Sequence, residues 1–360
     1  MKIEQLEVLP YSLPLKSALA WGKHSQLSRV EHCLVRVRLE DGSTGIAEAP
    51  PRPTIYGETI GSIKAAIAWL EPRICELEIT DTDSIKQVLG SLPNNNCAKG
   101  ALDMALWEAR AVAEHTPLEQ MLGCTHTRLE TSFILGIASP EEMLREAKEV
   151  VESGVRVLKV KVGRNTANDL EVIKALRLEF DDMVKLYADS NETLDAASAP
   201  HALAAMREAG LLWVEEPLPI RQIKARAELK RLGILPIIAD DSCFTPADLL
   251  RELEFDTFDV LNIKSARNGF TDSFEMMRLA AQASKGIMIG SQASTTLGIR
   301  HAALLAARAE VTHPSELAFF LKLGADIATR QPKLERGFLD LADVLEVGLD
   351  LRAWAQYEGS

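Results

Sequence analysis

Five ionisable residues, Lys161, Asp189, Glu215, Asp240 and Lys264, follow one another at intervals of 28, 26, 25 and 24 residues. Each closes a short apolar run: VLKVK, KLYAD, LLWVE, LPIIAD and VLNIK. Charge recurring at the ends of apolar segments is not the scatter of a solvated surface. Three carboxylates gathered together form an all-oxygen site for a hard divalent cation. Magnesium suits it best and manganese is acceptable, with positions left for water and substrate oxygens. No thiolate or imidazole belongs to the set, and the seven histidines show no HxH or HExxH spacing, which disfavours zinc. A lysine on either side adds acid–base chemistry. A cation that takes a substrate carboxylate stabilises the dianion formed when the adjacent carbon loses a proton. Lys161 and Lys264 would reach opposite faces of that carbon.

Lys159 precedes Lys161 by two positions in Val157-Leu158-Lys159-Val160-Lys161-Val162. On a strand both lysines project from one face, with Leu158, Val160 and Val162 on the other. Lysine is rarely buried unpaired, so an anion is expected beside them. A lysine acts as a base only when its pKa falls from about 10.4 towards about 7–8. The cation and the charge of Lys159 both push Lys161 that way. Lys161 is thus read as a base, Lys264 as its counterpart, and Lys159 as the neighbour that tunes Lys161 and positions the carboxylate.

The elements that must hold these residues alternate. From about residue 130, apolar strands begin near Thr131, Val157, Val184, Leu211, Leu235, Val260 and Gly286, with a weaker one at Glu316. Amphipathic helices such as Pro140–Glu152, Asn168–Phe180 and Pro200–Ala209 lie between them. Repeated strand–helix units imply parallel strands with right-handed crossovers, and seven or eight of them imply a closed (β/α) barrel. A doubly wound sheet would want a glycine-rich loop after its first strand, and LGIASP is not one. In a barrel the five strand-end residues stand together at the carboxyl-terminal mouth. The first third reads as α+β. It has a strand over Ile3–Leu9, a hairpin turning at Asp41-Gly42, and helices over Thr59–Leu77, from Asp81/Asp83 to Leu92, and from Asn96 to about Leu122. No Gly-, Pro- or Ser-rich linker separates it from the barrel.

Composition narrows the class. With 360 residues, 47% apolar and 26% charged, the chain has the make-up of a globular enzyme. A net charge of −12 argues against nucleic acid as the main partner and offers no basic face to an anionic membrane. Five dispersed cysteines without a CxxC pair read as reduced thiols, and no apolar signal core or membrane-length run is present. A cytoplasmic location is expected.

With these motifs in place, the chain resembles the enolase superfamily, and within it the muconate lactonizing enzyme subgroup, over essentially its whole length. The family's Lys-x-Lys motif is matched by Lys159-Val160-Lys161. Its three metal ligands match Asp189 in Asp189-Ser190-Asn191, Glu215 in Glu215-Glu216-Pro217, and Asp240 in Ala239-Asp240-Asp241-Ser242. Its sixth-strand lysine matches Lys264 in Asn262-Ile263-Lys264. Asn191 and Asp241 take supporting places beside the ligands. The resemblance implies an α/β fold: a modified (β/α)7β TIM-type barrel over 126–335, an α+β capping domain over 1–125, and a segment over 336–360 that returns to the cap. It further implies a homo-oligomer acting on a small carboxylate substrate.

Two cap loops, about 16–25 and 50–59, correspond to the family's specificity loops, and Trp21, His24, Arg52 and Tyr56 are expected to cover the substrate. Gly57-Glu58-Thr59 looks like the start of a cap helix, with Glu58 or Thr59 as its cap. The mandelate racemase branch would place a histidine after the seventh strand; here the stretch is Gly290-Ser291-Gln292-Ala293-Ser294, with Ser291 a candidate contact. Dipeptide epimerases commonly carry Asp-x-Asp on the last strand to hold the substrate ammonium. Glu316-Leu317-Ala318 stands there instead and looks more like the muconate cycloisomerase pattern, which makes Glu316 a candidate contact. The implied activity is a magnesium-dependent isomerase or lyase of the muconate cycloisomerase kind. N-acyl amino acid racemisation or dipeptide epimerisation is the alternative, and a non-catalytic anion-binding barrel is a third reading.

Overall fold

The structure is a computed structural model that describes residues 1–359. The chain opens with an antiparallel meander of β1 (Ile3–Trp21), β2 (Ser25–Leu39) and β3 (Thr44–Ala49), turning at Gly42 with φ +87°. β1 runs well past its expected end at Leu9, through Pro10 and Pro14. Proline cannot donate to a sheet ladder, but β1 lies at the edge of the order β1-β2-β3, where its missing N–H groups do no harm. The segment over 16–25, expected as a loop, is therefore the tip of a β-hairpin that turns at residues 22–24.

Three helices follow, α1 (Ile60–Ile74), α2 (Thr82–Gly90) and α3 (Asn96–Ala113). Thr59 caps α1 through a reciprocal bond with Ser62, whereas Glu58 sends its carboxylate to the amides of Cys97 and Ala98 at the start of α3, at 2.9 and 3.2 Å. The two expected caps thus serve two different helices. α3 stops short of Leu122 because Pro117 disfavours helical geometry at Thr116; Leu118–Met121 forms a separate turn of helix.

The barrel is a parallel sheet of β5 (Ser132–Leu135), β6 (Val157–Lys161), β7 (Lys185–Asp189), β8 (Val214–Glu215), β9 (Ile237–Ala239), β10 (Val260–Ile263) and β11 (Gly286–Ile289), in sequence order. β4 (Arg128–Glu130) lies before it, antiparallel to Phe338–Asp340. An eighth position closes the circuit. Ser132 N donates to Ser315 O at 2.8 Å and Glu316 N donates to Ile289 O at 2.7 Å. The strand expected at Glu316 is reduced to these two residues, because Phe319–Lys322 winds into a 3-10 turn. Helix Pro140–Glu152 starts as its sequence directs, with Ser139 and Glu142 capping reciprocally and proline in the first turn.

Leu158, Val160 and Val162 are fully buried, on the strand face opposite the lysines. Val157, Tyr187, Ile238, Val260 and Met288 form a separate apolar layer contributed by five barrel strands. Each such buried side chain contributes roughly 1.5–3 kcal/mol, and the layer excludes water from the barrel interior. Helix Leu351–Tyr357 packs on β1, and Gly359 N donates to Pro10 O at 3.2 Å. All five cysteines are unpaired thiols, and among the described residues no helix is long and apolar enough to cross a membrane.

Candidate active site

The strand register places Lys161 opposite Asp189 and Asp189 opposite Glu215. With Asp240 directly after β9 and Lys264 directly after β10, all five strand-end residues stand at one end of the barrel. β6 and β10 are four positions apart in a circuit of eight, so Lys161 and Lys264 approach from opposite sides of the mouth.

Lys159 is the hub of the charge network. Its Nζ lies 2.5 Å from Glu316 Oε1, 2.6 Å from Glu215 Oε1 and 2.9 Å from Asp189 Oδ2. Burial acts to lower its pKa, but the three carboxylates outweigh it and hold the ammonium well above its ordinary value. Lys161 Nζ donates to Asp189 Oδ2 at 2.5 Å and to Asn191 Oδ1 at 2.9 Å. Lys264 Nζ lies 2.5 Å from Asp240 Oδ2; burial opposes its charge, and Asp240 and Asp241 raise it overall. Gly290 makes this reach possible, since a Cβ there would meet Asn262 Oδ1 at 2.2 Å and Lys264 Cε at 2.9 Å.

The carboxylates fit a hard cation by chemistry and by charge. They are oxygen donors on three successive strands. Burial and the charges of Asp189, Asp240 and Glu316 push Glu215 well above the carboxylate range, even against Lys159. That is a surplus of negative charge a divalent ion would relieve. Among the described residues the three do not converge on one point, since each turns towards a lysine. Asp189 and Asp240 are both held well below the usual range despite burial, by Lys159 and Lys161 in one case and by Lys264 and Arg267 in the other.

Two residues given no role in the sequence reading complete the frame. Arg267 bridges Asp240 and Asp241, with Nη2 to Asp240 Oδ1 at 3.0 Å and Nη1 to Asp241 Oδ1 at 3.1 Å. Its place three residues after Lys264, just beyond a strand end, is the signal that would have found it. Glu216, with φ at +38°, accepts through its side-chain Oε1 from Asp240 N at 2.7 Å and Ser242 N at 2.9 Å, so its carboxylate pins the loop carrying Asp240. Burial, then the charge of Asp240, pushes Asp241 up to about 6.

A cavity of about 50 Å³ opens at this mouth, lined by Lys161, Lys264, Asn191, Asp240, Asp241, Ser291 and Gln292 and roofed by Trp21 and Arg52 from the cap. A larger groove of about 930 Å³ lies beside Leu235, Pro236 and Asp259, which precede their strands, and contains none of the five strand-end residues.

The remaining expected substrate contacts divide. His24 is exposed at the hairpin tip and does not line the cavity. Tyr56 packs edge-on against Phe244, 5.7 Å between centroids, and Ile55 takes its place in the lining. Glu316 does not line the cavity either. It is buried and accepts from Lys159, from Ser291 N at 2.8 Å and from Tyr187 Oη at 3.3 Å. Arg52 reaches the lining, but its guanidinium is spent on the carbonyls of Pro51 and Gln292 and on His32 Nε2.

Comparison with known proteins shows the family. The model for the mandelate racemase / muconate lactonizing enzyme N-terminal domain matches residues 10–123, and the enolase C-terminal domain-like model matches residues 142–353. L-Ala-D/L-Glu epimerase of Bacillus subtilis is 33% identical over 318 residues, covering 85% of each chain. The hydrophobic dipeptide epimerase of Enterococcus faecalis is 29% identical, covering 85% of this chain and 87% of its own. The muconate lactonizing enzyme of Mycobacterium smegmatis, solved with muconolactone, superposes with a TM-score of 0.95 at 33% identity over the whole of both chains. Two domain models in tandem, and relatives matched nearly end to end, mean that this chain belongs to the enolase superfamily, in its mandelate racemase and muconate lactonizing enzyme branch, and is one of its isomerases.

Proposed function

We propose that the protein is a racemase or epimerase that moves a proton between the two faces of the carbon next to a carboxylate. The observation that carries the reading is the placement of Lys161 and Lys264 across one cavity, on strands four positions apart. One lysine, neutral, takes the proton as the C–H bond breaks. The other, protonated, delivers its own proton to the opposite face, which inverts the centre. Asp189 and Asn191 aim Lys161, while Asp240 and Gly290 set the reach of Lys264. Asp189, Glu215 and Asp240 would hold magnesium, which when bound supplies positive charge beside the substrate carboxylate; manganese suits the same oxygens. Lys159, tied to three carboxylates, positions this set and does not itself touch the cavity.

Curated relatives named as dipeptide epimerases support proton transfer. A second reading, cycloisomerisation of a muconate-like diacid, is favoured by the likeness to the Mycobacterium smegmatis enzyme. Incubation with magnesium in D2O against N-acyl amino acids, dipeptides and cis,cis-muconate separates the two. Deuterium at the α-carbon with loss of optical purity is the expected result. Lactone formation without any racemisation would move the assignment to the second reading.

A further inference from the structure

We propose that the side-chain amide of Gln292 is the specificity-determining contact of this site, and that it donates to a carbonyl oxygen of the substrate remote from the reacting carboxylate. The proposal rests on the isomerase reading and deepens it.

Gln292 lines the cavity at 4% exposure, and its Nε2 is buried without any hydrogen-bond partner among the described residues. A buried amide donor left unpaired costs about 1–3 kcal/mol, so such groups are few and call for a partner. The backbone that carries it is pinned on three sides. Arg52 Nη2 donates to the Gln292 carbonyl, Ser291 N donates to Glu316 Oε2 at 2.8 Å, and Ser294 N donates to Ser291 Oγ at 3.2 Å. An unsatisfied donor on a rigid loop is a preorganised contact, because little entropy is lost when the acceptor arrives.

The rest of the chamber limits what that acceptor belongs to. Leu19, Trp21, Leu27, Ile55, Ile134 and Phe319 make its walls apolar. The lining carboxylates are Asp240 and Asp241, and the two cations beside them match their charge: Arg267 pairs with both and Lys264 with Asp240. A free substrate ammonium would meet no available anion and would be desolvated at high cost. A carbonyl oxygen would meet the amide of Gln292. It can come from the acyl group of an N-acylated amino acid or from the second carboxylate of a diacid.

The test uses the full-length magnesium-loaded protein and two near-isosteric variants, Gln292→Met and Gln292→Glu, each checked for native circular dichroism and melting. N-acetyl-L-phenylalanine, cis,cis-muconate and L-Ala-L-Phe are titrated calorimetrically, and α-deuterium uptake from D2O is followed on the same samples. The dipeptide carries the same acyl carbonyl as the N-acetyl probe and adds a free ammonium, so wild type should bind one of the two probes without an ammonium in preference to it, and which one identifies the source of the carbonyl. Gln292→Met should weaken that probe about tenfold or more. Gln292→Glu should weaken it further and improve binding of L-Ala-L-Phe. Unchanged affinity in Gln292→Met, a wild-type preference for the dipeptide, or no binding of any probe would each overturn the proposal. If binding depends on Gln292 but the bound N-acetyl probe takes up no deuterium, the contact stands and the proton-transfer reading fails.

Discussion

Lys159 Nζ and Glu316 Oε1 lie 2.5 Å apart beneath the barrel mouth, joining the second barrel strand to the eighth position. The same ammonium also faces Glu215 and Asp189, so its removal leaves three buried carboxylates facing one another. Lys159→Met should therefore cost about 3–5 kcal/mol in urea denaturation. Glu316→Gln leaves Lys159 with two carboxylates and should cost about 1–3 kcal/mol. Equal losses would mean that Lys159 is not the hub of the network.

Lys161 and Lys264 predict an asymmetry that a single catalytic base does not. Alanine at either position should slow racemisation by about 10²–10⁴-fold. In Lys161→Ala, the enantiomer whose proton faces Lys264 should still exchange with D2O, and Lys264→Ala should spare the other one. NMR of α-protons on each pure enantiomer reads this directly. Loss of exchange for both enantiomers in either variant would point to one lysine serving both faces.

The barrel was legible in the sequence because strand ends carry charge at a nearly constant interval, and the helices between them cap conventionally, as at Ser139 and Glu142. The length of β1 was not, because prolines at positions 10 and 14 read as breakers unless the strand is known to lie at an edge. The lid contacts were harder still. Trp21 was legible as a cavity residue, but whether Arg52 meets substrate or a carbonyl depends on where Gln292 lies, 240 residues further on. The burial of Glu316 depends likewise on Lys159, 157 residues away. Gln292 itself, in a polar loop, gave no local signal.

Asp103 couples cap to barrel and should make stability depend on pH. Its carboxylate accepts from Phe270 N at 2.6 Å and from Thr271 N at 3.0 Å, and burial pushes its pKa up to about 6. The folded value lies above the unfolded one, so the folded state binds the proton more tightly. Its contribution is full below about pH 4 and is lost as pH rises through about 6, by up to about 3 kcal/mol. Asp169 and Asp241, each pushed up to about 6, titrate in the same window, whereas Glu108, pulled down to about 2 against burial by His301 and Arg300, acts in the opposite sense at lower pH. The quantity to measure is therefore the difference between wild type and Asp103→Asn across pH 4 to 7. A flat difference would remove Asp103 as its source.

Glu215 carries the prediction for metal. Its raised pKa comes from burial and from the charges of Asp189, Asp240 and Glu316, and a cation bound among them removes that repulsion in the folded state alone. Magnesium at a hundred times its dissociation constant should add about 2.7 kcal/mol to stability, and chelation should reverse the gain. Glu215→Gln removes one ligand and much of the surplus charge together. The variant should melt close to the chelated wild type or above it, and should gain little from added magnesium. Asp241→Asn leaves all three ligands in place, so it should keep most of the magnesium-dependent shift. Scanning calorimetry of the three proteins with and without magnesium checks both expectations. A full shift in Glu215→Gln would exclude Glu215 from the cation site.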